Sequence, residues 1–188
     1  MNAHELAAWE VHQFFTALGI PYAIIGGTAV QFWGEPRFTQ DIDLVVSAPL
    51  ENTAGFVQKI LDHFTPRLDD ALTFALRNRV VLVQASNSYP LDIALGLPGY
   101  EDEVMKRVVD YELAPGQMIR VCSAEDLIIH KAVAGRPQDI RDIEGVVYRQ
   151  QNTLDIPYIR QWLHEFAEIL DKPEVVQFFE RPWNKIQG

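Results

Sequence analysis

A chain of 188 residues that is 48% hydrophobic and 22% charged has the composition of a soluble globular protein with enough apolar material for its own core. Its formal net charge of −10 excludes a protein that coats nucleic acid through its whole surface, because such binders neutralise phosphates with Lys and Arg; a local basic cleft stays possible. The single cysteine, Cys122, excludes an internal disulfide and fits a reducing compartment, so a cytoplasmic location is expected and Cys122 reads as a small core residue. Met1-Asn2-Ala3-His4-Glu5 lacks the basic start and apolar block of a secretory leader. No apolar run approaches the roughly 20 residues a membrane helix needs, so no membrane association is expected.

In chain order, Ala3 to Leu18 carries apolar residues at helical recurrence and stops at Gly19 and Pro21. Tyr22 to Ile25 reads as a short buried strand ending at Gly26-Gly27, and Thr28 to Phe32 as the start of a short helix. Ile42 to Val46 is a second buried strand, followed by an amphipathic helix from Leu50 to Phe64. Ala71 to Leu76 and Val80 to Ala85 read as two strands joined in a hairpin through Arg77-Asn78-Arg79. Leu91 to Leu95 and Met118 to Val121 are further strands. Ser123-Ala124-Glu125-Asp126 opens a helix from Leu127 to Ala134 in the manner of a capping box. Helical patterns follow over Gln138 to Arg149, Pro157 to Leu170 and Pro173 to Phe179. The expected plan is a mixed α/β (α+β) fold, with a sheet-containing part over residues 1–100 and a mainly helical part over 101–188.

Three features carry chemistry. Gly26-Gly27-Thr28 sits at a strand-to-helix turn, where backbone N–H groups and the helix N-terminus can receive an anion; plain turn chemistry is the alternative. Asp41 and Asp43 lie two apart and so project to one side of a strand, a pairing that hard oxygen-liganded Mg²⁺ resolves, or that simply faces water. Asp92 stands alone in the apolar run Leu91-Asp92-Ile93, and a carboxylate there calls for a metal or for a partner such as an arginine. If the two strands are neighbours, the three acids form one cluster able to hold two metal ions.

Ile25-Gly26-Gly27, then thirteen residues from Thr28 to Gln40, then Asp41-Ile42-Asp43-Leu44 resembles the signature of the DNA polymerase β-like nucleotidyltransferase superfamily. More narrowly, Gly26-Gly27-Thr28-Ala29 with Arg37-Phe38-Thr39-Gln40-Asp41-Ile42-Asp43-Leu44 resembles the AbiEii/MenT-type nucleotidyltransferases, which include toxins of toxin–antitoxin and phage-defence systems. Leu127-Ile128-Ile129-His130-Lys131-Ala132, with Arg136, Asp139 and Asp142 after it, is similar to a helical region of that group. The resemblance implies a polymerase β-like mixed sheet flanked by helices, with residues 101–188 completing the active-site cleft. It implies that Gly26 and Gly27 cradle a triphosphate such as ATP, with Thr28 as a hydroxyl donor. Asp41, Asp43 and Asp92 would be metal ligands and catalytic, Asp92 also helping to deprotonate the acceptor. Lys131 would contact phosphates and offset developing charge. Arg37 would do likewise, its other reading being an ion pair with a nearby acid; Lys131 can also be read as a snorkelling surface lysine. Asp139 and Asp142, three apart on one helical face, would orient Lys131 or Arg136, or simply form a solvated face.

The activity so implied is Mg²⁺-dependent transfer of a nucleotidyl group from a nucleoside triphosphate to an acceptor hydroxyl on tRNA, a protein or a small molecule, with a cognate antitoxin or toxin as a further partner. A non-catalytic module of the same fold, acting through a protein partner, is the alternative. The five histidines, His4, His12, His63, His130 and His164, lack metal-ligand spacing and read as structural or surface residues. Trp162, Phe166, Phe178, Phe179 and Trp183 read as a helix-packing stripe.

Overall fold

The computed structural model describes residues 1–187. The first helix, α1 (Ala3–Ala17), starts where the Asn2 side chain accepts from the Glu5 N–H at 3.0 Å and the Glu5 carboxylate accepts from the Asn2 N–H at 2.8 Å. Gly19, with φ of 65°, turns the chain out of it. There follow β1 (Tyr22–Ile24), α2 (Gly26–Trp33), β2 (Ile42–Val46), α3 (Thr53–His63), β3 (Thr65–Pro66), α4 (Ala71–Asn78), β4 (Val80–Gln84) and β5 (Pro90–Leu95). Next come α5 (Tyr100–Lys106), β6 (Val109–Ala114), β7 (Gln117–Val121), α6 (Ala124–Ala134), α7 (Pro137–Gln150), α8 (Ile156–Leu170) and α9 (Glu174–Gln187). Among the described residues no helix is long and apolar enough to cross a membrane.

The chain divides into two compact units, and the division falls within α2. The first unit (Met1–Thr28 and Phe38–Cys122) is built on a seven-stranded sheet of order β3-β4-β5-β2-β1-β7-β6. Strand β2 runs antiparallel to β1 and parallel to β5, so the sheet is mixed, as expected. Strands β4 and β5 alternate between buried and half-buried residues: Val81, Val83, Leu91 and Ile93 are buried, while Leu82 and Asp92 stand half-exposed on the other face. Buried side chains from α1 and α3, among them Val11, Phe15, Val57 and Ile60, complete this core.

The second unit (Ala29–Arg37 and Ser123 onward) is helical. The Ser123 hydroxyl accepts from the Asp126 N–H at 3.1 Å and so caps α6, which ends at Gly135 in a left-handed turn. Leu127, Ile128, Ile129 and Ala132 of α6 are wholly buried, with Ile143, Val147, Ile159, Leu163 and Phe179 of the helices that follow. Trp162 and Phe166 pack along α8, and Phe179 stacks on Trp183 in α9.

Three local expectations are corrected. Ala71 to Leu76 is helix, not the first strand of a hairpin: Ala71 and Ala75 are the buried pair, one helical turn apart, and Ala71, Leu72, Ala75 and Leu76 are good helix formers. Arg79, at φ of 55°, then ends the helix where a hairpin turn was expected. Helix α5 and strand β6 were not among the expected elements; most of β6 is exposed, and backbone pairing with β7 at the edge of the sheet holds it. Helix α9 continues past Phe179 with Pro182 inside it, because the buried face of Val175, Val176 and Phe179 outweighs the one backbone bond that proline forfeits.

Candidate active site

Strands β2 and β5 are hydrogen-bonded in parallel with Asp43 directly opposite Asp92. A register one residue away would have placed the two on opposite faces. Asp41 lies just ahead of β2, two residues before Asp43, and all three acids are half-buried. One carboxylate oxygen from each of Asp41, Asp43 and Asp92 lies within 4.8 Å of the other two. The strand adjacency on which the expected cluster depended is therefore present. A set made only of carboxylate oxygens fits a hard divalent cation such as Mg²⁺.

Strand β1 delivers the glycine turn to the same place. The Ile25 N–H donates to the Asp43 carbonyl at 2.9 Å, and the next residue begins α2. Gly26 has φ of 60°, and a Cβ there would fall on the Asp43 carboxylate, 2.6 Å from its Cγ. Both the conformation and the space demand glycine. The first backbone N–H groups of α2 thus lie beside the acids, at a helix end that carries partial positive charge. A Gly26→Ala variant is expected to lose at least tenfold in divalent-cation affinity, measured by calorimetric titration, because the methyl group displaces Asp43. Unaltered affinity would show that the close approach has no consequence for the cluster. Thr28 is fully buried, and its hydroxyl shares a hydrogen bond of 2.9 Å with His4 Nε2, so the side chain is turned to α1.

Two further residues meet the acids and were not singled out from the sequence. The Arg67 guanidinium, carried just past β3, stands 2.9 Å from Asp92 Oδ1. Burial pushes the Asp92 carboxyl above its ordinary value; Arg67 opposes the rise and the charge on Asp41 adds to it. The Thr39 hydroxyl donates towards Asp41 Oδ1 at 3.1 Å. Arg67 escaped notice because β3 is two exposed residues with no periodicity, and Thr39 because nothing in a loop sequence signals a carboxylate contact.

In the second unit the other expected residues form a buried ion network. Lys131 Nζ lies 2.9 Å from Asp139 Oδ1 and 2.9 Å from Asp142 Oδ2, with only 5% of the residue exposed. Arg37 binds Asp142 with both arms of its guanidinium, Nε and Nη2 each at 2.9 Å. Arg136 Nε donates to Asp139 Oδ2 at 2.7 Å, and Gln138 Nε2 to Asp142 Oδ1 at 2.9 Å. Burial alone would raise the Asp142 carboxyl, but hydrogen bonds from Arg37, Lys131 and Gln138 outweigh it and bring it down to about 2. Asp139 is lowered in the same way by Arg136 and Lys131, against its burial. The structure thus places Lys131 and Arg37 on carboxylates, with Asp139 and Asp142 orienting them.

A mixed sheet thus sets a glycine turn beside three acids, Asp43 and Asp92 on adjacent strands and Asp41 just ahead of the first. The chain belongs to the family described as "Nucleotidyltransferase of unknown function (DUF6036)", whose model matches residues 10–187. Among solved structures it is similar to an antigenic nucleotidyltransferase-like protein from Paracoccidioides brasiliensis, at 15% identity and a TM-score of 0.52, over 94% of this chain and 91% of that one. It is also similar to the antibiotic-resistance factor ANT(2'')-Ia, at 17% identity and a TM-score of 0.50, over 89% and 91% of the two chains. Both likenesses are of fold. A search of curated proteins found no match to the sequence. The chain is thus a nucleotidyltransferase, an enzyme that transfers a phosphorus-containing group.

Proposed function

We propose that the protein moves a nucleoside monophosphate from a nucleoside triphosphate, with Mg²⁺, to a hydroxyl on an acceptor. The observation that carries this is the convergence of Asp41, Asp43 and Asp92 beside the Gly26 turn. The acids are the metal holders, and Mg²⁺ bound there would neutralise phosphate charge and orient the triphosphate. Gly26 and Gly27 present the N-terminal end of α2 to the phosphates. The acceptor oxygen forms a bond to the α-phosphorus as the bond to pyrophosphate breaks, and pyrophosphate leaves. Asp92, beside the acceptor, would help to remove the hydroxyl proton.

Lys131 and Arg37 enter as cations whose charge Asp139 and Asp142 hold in fixed positions. A phosphate contact by either would compete with those carboxylates, so we assign both first to shaping the second unit. The motif likeness to AbiEii/MenT-type enzymes supports a place in a toxin–antitoxin system in the cytoplasm, with a cognate protein partner. Incubation with labelled triphosphate and tRNA, total protein or small hydroxylated compounds sorts the three acceptor classes.

The test is a thermal-shift titration with ATP, CTP, GTP and UTP, with and without Mg²⁺. A triphosphate at 100 times its dissociation constant adds about 2.7 kcal/mol, or roughly 5–10 °C for a domain of this size. A shift that needs Mg²⁺ and disappears in Asp41→Asn is expected. No shift with any triphosphate would overturn the proposal in favour of a module that works through a protein partner.

A further inference from the structure

We propose that His4, at the start of α1, is a positioning residue that ties the two halves of the candidate site together. The inference rests on the nucleotidyltransferase reading above. His4 Nε2 shares its 2.9 Å hydrogen bond with the hydroxyl of fully buried Thr28, the third residue of the helix that follows the glycine turn. The same imidazole meets the Tyr89 ring edge-on, with centroids 5.5 Å apart and planes inclined at 71°. The Tyr89 hydroxyl donates to the Thr39 carbonyl at 2.9 Å, and the Thr39 hydroxyl reaches Asp41 Oδ1 at 3.1 Å and the Asp41 carbonyl at 3.2 Å. One connected path therefore runs from the end of α2 that would face phosphate, through His4, Tyr89 and Thr39, to the first metal-holding acid.

The path is itself fixed at its middle. Asn87 Nδ2 donates to the Ala3 carbonyl at 2.7 Å, joining the start of α1 to the loop that carries Tyr89. Asp41 lies outside any strand, so its carboxylate is not oriented by sheet pairing as those of Asp43 and Asp92 are. Thr39 and Tyr89 supply that orientation. The residues behind a metal ligand commonly matter ten- to a hundredfold in affinity or activity, which sets the size of effect expected here.

The two ends of the path predict different losses. His4→Ala removes the grip on Thr28 and the ring against Tyr89. It should weaken binding of the triphosphate that gives the largest Mg²⁺-dependent shift by about tenfold, measured by calorimetry. His4→Gln, which restores a polar group at similar reach, should recover most of it. Tyr89→Phe keeps the ring and loses only the bond to Thr39. It should raise the Mg²⁺ concentration for half-saturation by about tenfold, with triphosphate affinity at saturating Mg²⁺ within twofold of wild type. Melting of each variant without ligand, within a few degrees of wild type, separates positioning from loss of fold. If wild type binds a triphosphate with Mg²⁺ and His4→Ala binds it equally well, the inference is overturned and the reading of the site stands. Wild type that binds none of the four overturns both.

Discussion

Asp43→Asn is expected to abolish Mg²⁺-dependent nucleotidyl transfer while leaving the fold intact. Asp43 faces Asp92 across the parallel β2–β5 pair and touches the space that Gly26 keeps open, so it is the acid common to every part of the site. The amide keeps the size and the hydrogen-bonding shape of the carboxylate but removes one of the three negative charges that a divalent cation needs. Stabilisation of phosphate charge by a metal is worth several kcal/mol, and each 1.36 kcal/mol is tenfold in rate, so the expected loss is about a thousandfold. Pyrophosphate release measured with the preferred triphosphate and acceptor reads this directly. The melting temperature should stay level or rise, because three carboxylates within 4.8 Å of one another repel when no cation lies between them. Full activity in Asp43→Asn would remove the metal assignment from β2.

Lys131→Met should act on stability. The lysine ammonium is buried between two carboxylates, and its removal leaves Asp139 with Arg136 and Asp142 with Arg37 and Gln138. Breaking a buried ion pair from one side costs about 3–5 kcal/mol. The lower end applies here, since Asp139 keeps Arg136 and Asp142 keeps Arg37. A fall of roughly 10 °C in melting temperature is therefore expected. The network also sets an acid limit. Asp142 titrates near 2 in the folded protein against an ordinary value of 3.8, so its contribution is fully present above about pH 4 and is lost as pH falls towards 2. Acid unfolding followed by circular dichroism should show this loss in wild type and a weaker one in Asp142→Asn. An unchanged melting temperature in Lys131→Met, with weaker triphosphate binding, would instead make Lys131 a phosphate ligand.

Much of the site was legible because its signals are local. Two acids two apart, and a Gly-Gly step between an apolar strand and a helix, announce themselves through backbone periodicity alone. Arg67 and His4 were not legible. Arg67 is brought to Asp92 by pairing of the two-residue β3 with β4, and His4 to Thr28 across 24 positions of chain. Neither contact leaves a mark on its own neighbourhood in the sequence. The helix over Ala71–Asn78 was mistaken for a strand for a related reason: a short apolar run fits both periods, and burial of Ala71 with Ala75 decides between them.

By itself, then, the sequence determined most of the elements, the glycine turn and the three acids that could hold a metal, since each follows from composition and spacing within a few positions. Tertiary structure decided the register that sets Asp43 opposite Asp92, the arginine that faces them and the carboxylates that hold Lys131. Those contacts depend on which strands become neighbours and which helix faces are buried, and these are outcomes of packing the whole chain at once.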